Sequence, residues 1–151
     1  MIRRGTGGRC ANGTSAFTLI ELAIVLAVVA VIAAFAVPSY RRQIERGHRL
    51  AAVTALYRSA HDLASRGGGE PGRQPVELGT IPEHGAPVYR LTVEPMESGG
   101  YLLSATPVRQ GPMAGDHCGS YLLRSDGSRA NRMPDDEAGP GEPRPGCWTM
   151  R

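Results

Sequence analysis

The chain has 151 residues and a mass of 16.0 kDa, enough for one ordinary domain with appendages. All 17 basic residues are arginine, against 14 acidic ones, which excludes a Schiff-base lysine or a Walker-type phosphate lysine. Gly 20 and Pro 12 fall mostly after residue 66 and predict a loop-rich second half, whereas apolar residues crowd into 17–37 too densely for a soluble core.

Residues 1–16 (MIRRGTGGRCANGTSA) hold Arg3, Arg4 and Arg9, no acid and little hydrophobicity. Residues 17–37 carry one charge, Glu21, followed by 16 uncharged residues. These 21 residues, at about 1.5 Å each, give a helix of roughly 31 Å, close to the hydrocarbon thickness of a bilayer. Basic residues before the span and a long chain after it place the N-terminus in the cytoplasm and the remainder outside. A signal-peptidase site needs a small-x-small motif after the apolar run, but hydrophobicity continues unbroken to Pro38. The span is therefore expected to stay in the mature protein. A carboxylate only four residues into it costs roughly 2.5–3.5 kcal/mol if it lies deep, so Glu21 either snorkels to the interface or has a partner.

The string Ala16-Phe17-Thr18-Leu19-Ile20-Glu21-Leu22, after a basic leader and before an apolar helix, closely resembles the class III signal of type IV prepilins. The resemblance implies that a prepilin peptidase on the cytoplasmic face cuts between Ala16 and Phe17 and methylates the new amine of Phe17. The apolar helix is kept. Glu21 is then paired with the positive N-terminus of a neighbouring subunit in the fibre's helical bundle, so neither charge is buried alone. The family usually has Gly before the cut; Ala16 stands here, and slower cleavage is expected. Taking the three leader arginines from 17 leaves 14 against 14 acids, so the mature chain is formally neutral and the pI of 9.0 says little about partners.

Beyond the span, residues 39–65 place Ile44, Leu50, Val53, Leu56 or Tyr57, Ala60, Leu63 and Ala64 at helical steps, with arginines on the other faces. Residues 17–38 are read as the membrane and fibre-core half of one helix and 39–65 as its amphipathic half. Pro38 removes one backbone donor and is expected to bend the helix. Position and pattern resemble the long first helix of pilins. Segment 66–87, with Gly or Pro at nearly every second position, reads as a loop without regular structure. Alternating or apolar runs at 88–93, 101–106 and 120–124 predict strands, Asp126-Gly127 a hairpin turn, and 128–132 a further strand. The fold class is α+β: a long N-terminal helix packed on a small antiparallel sheet of three to four strands. Residues 66–151 form the periplasmic or extracellular head.

Cys10 leaves with the leader, so Cys118 and Cys147 remain as a pair outside the cytoplasm and predict a disulfide across 133–146. Ligation of a metal by the two cysteines with His117 is the alternative, set back by the want of a fourth ligand at suitable spacing; no metal or cofactor is expected. The runs 101–107, 116–119 and 122–127 and the closing Cys147-Trp148 look like PilE-type minor pilins. His48, His61 and His84 are isolated, glycines 67–69 follow no strand, and Asp135-Asp136-Glu137 reads as solvated charge, so no enzyme is expected. The leading reading is a minor pilin serving pilus biogenesis, twitching motility or adhesion. Its expected partners are other pilin subunits, the prepilin peptidase, the inner membrane and the assembly platform there. A type II secretion pseudopilin and a DNA-uptake pilin binding through surface arginines are the alternatives.

Overall fold

The structure, a computed structural model, describes residues 18–65, 74–134 and 141–149. One helix, α1 (Leu19–Ser65), precedes five strands: β1 (Val76–Ile81), β2 (Tyr89–Pro95), β3 (Tyr101–Pro107), β4 (Ser120–Arg124) and β5 (Arg129–Arg132). Helix α1 opens on Thr18, whose Oγ1 accepts the Glu21 N–H at 3.3 Å. This is half of a capping box, and it puts Glu21 in the first turn, where unpaired N–H groups favour a negative charge. Pro38 lies inside the helix, where it offers no N–H to the turn before it.

The chain divides into two compact units, one ending at Ser39 and the other beginning at Tyr40. In the first, Leu22, Ile24, Leu26, Val29, Ile32 and Phe35 are each more than half exposed. The second holds the rest of α1 and the sheet, an antiparallel meander in the order β1-β2-β3-β4-β5. Alternate residues Tyr89, Leu91 and Val93 of β2, Leu103 and Ala105 of β3, and Tyr121 and Leu123 of β4 share one core with Ala52, Val53 and Leu56 of α1. Of the expected stripe, Val53 and Leu56 are buried and Ala60 and Leu63 pack at the rim, but Ile44 and Leu50 stay exposed. Apolar burial on α1 begins only at Ala52.

The α+β architecture is as expected; the strand count is five rather than three to four. The extra strand, β1, lies inside the segment expected to be irregular. It pairs Val76 with Val93 and Ile81 with Tyr89, with a bulge between Glu77 and Gly79. Gly79 has φ 142°, and a Cβ there would meet nothing, so glycine supplies backbone freedom rather than room. A glycine read as a loop marker is thus the residue that lets the strand pair. The final hairpin follows its sequence: Asp126 Oδ1 accepts the Ser128 N–H at 2.8 Å and Gly127 takes φ 84°.

Candidate functional site

Ala16 and Phe17, the expected cleavage and methylation positions, lie outside the described residues. Glu21 is exposed at the start of α1 and Pro38 lies farther along it. Of the expected site residues, the structure brings together Cys118 and Cys147, joined as a disulfide with Cα atoms 5.7 Å apart. Both are buried, at 0% and 4% exposure.

Around the bond lies a set of polar contacts centred on Asn131 of β5. Its Nδ2 donates to the Cys118 carbonyl at 2.9 Å, while its Oδ1 accepts the Trp148 indole N–H at 2.8 Å and the Arg144 backbone N–H at 3.0 Å. One buried amide therefore holds both ends of the disulfide-bounded region. The Trp148 ring meets Tyr121 edge-on at 5.4 Å, and Tyr121 meets Tyr89 at 6.2 Å. The Arg129 guanidinium lies 5.8 Å from the ring centres of both Tyr57 and Trp148, tying β5 to α1 and to the tail.

The second tie is ionic. Arg49 on α1 donates through Nε to both Asp116 carboxylate oxygens at 3.2 Å, with Nη2 adding a third contact. The Asp116 side chain is 4% exposed, and this hydrogen bonding raises the Arg49 pKa further above its ordinary value. Two residues 67 positions apart leave no local pattern, so sequence reasoning missed this pair. It missed Asn131 for the same reason.

The Tyr89 and Tyr121 hydroxyls are buried without a hydrogen-bond partner among the described residues. Burial raises both pKa values well above the ordinary tyrosine range near 10. An acid whose folded pKa is raised stabilises the fold fully below its unfolded pKa, and that stability is lost as pH rises above it. Stability of the head should therefore be insensitive to tyrosine ionisation up to about pH 10 and fall beyond it. Tyrosinate absorbance should show these two rings titrating together with unfolding; independent titration near pH 10 in a folded head would refute their burial.

The model of the family type IV minor pilin ComP, DNA uptake sequence receptor, matches residues 38–122. No curated protein and no solved structure shows a match. The matched stretch takes in α1 from Pro38 onward, strands β1 to β3 and most of β4, more than half of the chain. With its apolar N-terminal helix, antiparallel sheet and disulfide-closed end, the chain belongs to this family of type IV minor pilins.

Proposed function

We propose that this minor pilin first stands in the inner membrane, N-terminus in the cytoplasm and head in the periplasm, as a structural subunit and not an enzyme. Prepilin peptidase cuts it between Ala16 and Phe17 and methylates Phe17, and the inner-membrane assembly platform passes it into the fibre. One observation carries the reading: the large apolar side chains of α1 up to Val37 are all more than half exposed. Water does not tolerate such a surface, whereas a bilayer or a bundle of like helices covers it. Glu21, alone among them, is the counter-charge for a neighbouring subunit's amine. Mass spectrometry of the membrane-extracted protein should find N-methylated Phe17 as its first residue. Glu21→Val should insert and be cut, because removing an intramembrane charge eases insertion, yet it should be depleted from sheared pili. An intact Met1 terminus would overturn the processing, and wild-type levels of the variant in fibres would overturn the pairing.

A second reading, receptor for DNA, is supported by the family's description and by one row of side chains. On the sheet face turned from α1, Thr80 pairs with Arg90 and Arg90 with Thr106, and Ser120 pairs with Arg132. One further step along the β3–β4 register sets Thr106 beside Ser120, so two neighbouring hydroxyls, of which Ser120 is buried, lie between the two arginines. Among the described residues Arg90 has only the exposed Glu77, 3.3 Å away, as ionic partner, a pairing that a phosphate can displace. Binding of duplex DNA by the detergent-solubilised chain should weaken linearly in log affinity against log salt. The Arg90→Gln, Arg132→Gln double variant should reduce that slope by about 2. No binding at low salt would remove this reading.

A further inference from the structure

The closed end of the head sets a third donor beside the two cysteines. His117 Nε2 lies 3.5 Å from Cys118 Sγ, and one donor atom from each of His117, Cys118 and Cys147 falls within 4.8 Å of the other two. A tetrahedral zinc with sulfur at about 2.3 Å and imidazole nitrogen at about 2.0–2.1 Å holds those two donors roughly 3.6 Å apart. The imidazole thus already stands at chelating distance from Cys118. The other ring nitrogen, Nδ1, lies 3.5 Å from Asp116 Oδ1 and 3.4 Å from Arg49 Nη2, and the ring's tautomer chooses between them. With Nδ1–H turned to Asp116, the lone pair of Nε2 faces the sulfurs, and a carboxylate behind the ring is what orients metal-binding histidines. Arg49 in turn holds Asp116 in place. Both cysteines are buried but the His117 side chain is 63% exposed, so the approach from solvent runs along the imidazole.

We propose that the reduced head binds one zinc ion, through His117 Nε2 and the thiolates of Cys118 and Cys147, with water in the fourth position. A fourth protein donor is not needed, since zinc sites with three protein ligands keep an open position. The disulfide and the ion exclude one another. Reduction by a phosphine gives the two sulfurs two electrons and two protons, while the phosphine takes its oxygen from water and becomes the oxide. Each thiol then releases its proton to the buffer as the metal binds. An exported chain not yet oxidised is thereby held closed at the place where its disulfide will form.

The test uses the full-length chain in detergent, reduced with a phosphine and titrated with cobalt(II) alone and then with zinc(II). One equivalent of cobalt should produce sulfur-to-metal charge transfer and tetrahedral d–d absorption, and zinc should displace it. The oxidised chain should show neither. His117→Ala should weaken the metal by at least the 10- to 100-fold that loss of an outer-shell partner costs. Zinc should also make the reduced wild-type head resistant to protease. Absence of the bands, equal affinity in His117→Ala, or a metal-bound chain that stays protease-sensitive would each overturn the site; the last two would mean a bare dithiolate pair in an open chain.

Discussion

Replacing Cys147 with serine is expected to cost the head about 2–5 kcal/mol. The bond to Cys118 spans a sequence separation of 29, and on the chain-entropy account a loop of that length is worth roughly 3–4 kcal/mol through the unfolded state. Strain or unfolded-state structure can reduce that figure. Burial works the other way, because a serine hydroxyl at a site 4% exposed gives up water without a ready partner. Domains of ordinary stability have only about 5–15 kcal/mol to lose. The single tryptophan, Trp148, follows Cys147 directly and packs on Tyr121, so its fluorescence reports the closed end during denaturant unfolding of the full chain in detergent. The midpoint should fall steeply, and the freed Cys118 should give disulfide-linked dimers on non-reducing gels. An unchanged midpoint in the Cys118→Ser, Cys147→Ser double variant would assign the stability to packing on α1 instead.

How much of this was legible depended on how local each signal is. Strand β2 announces itself by alternating buried and less buried side chains, β3 and β4 by short apolar runs that are buried on both faces, and the Asp126-Gly127 turn fixes the hairpin into β5. Strand β1 does not, because three of its six residues, Val76, Glu77 and Leu78, are exposed, and its bulge breaks the period of two at Gly79. On α1 the apolar period is real, but periodicity cannot say where a covering sheet begins; Ile44 and Leu50 obey the pattern and remain in the open. Glu21 was legible as an odd charge in an apolar run. Its place in the first turn behind Thr18 adds a local reason for a carboxylate there, beside any partner in a fibre. The contacts that hold the head shut are the least legible. Asn131 looks like a strand polar residue, and Arg49 like any solvated helix arginine, until tertiary structure sets Cys118 and Asp116 beside them.

Asn131→Leu should therefore damage the head nearly as much as loss of the disulfide, although leucine keeps the number and branching of asparagine's side-chain heavy atoms. Asn131 is 1% exposed, so its partners have no water to turn to. The substitution strips the acceptor from the buried Trp148 indole N–H and the donor from the Cys118 carbonyl. Two groups left unpaired at about 1–3 kcal/mol each predict a loss of roughly 2–6 kcal/mol, with the Cys118–Cys147 bond still present. Arg144 adds little, because the residue is exposed and solvent can replace Asn131 as the partner of its N–H. Asn131→Asp separates the two roles. It keeps the acceptor for Trp148 but points a carboxylate at the Cys118 carbonyl. Burial and that repulsion should raise the new carboxyl's pKa in the folded state, so the variant should regain stability as pH falls and lose it as pH rises. Wild-type protein should show no such trend at this position. A double-mutant cycle with Trp148→Phe isolates the indole bond: the coupling should be about 0.5–3 kcal/mol if Asn131 acts through Trp148. Additive losses would leave Asn131 acting through Cys118 alone, and an unchanged unfolding midpoint in Asn131→Leu would remove it as the residue that closes the head.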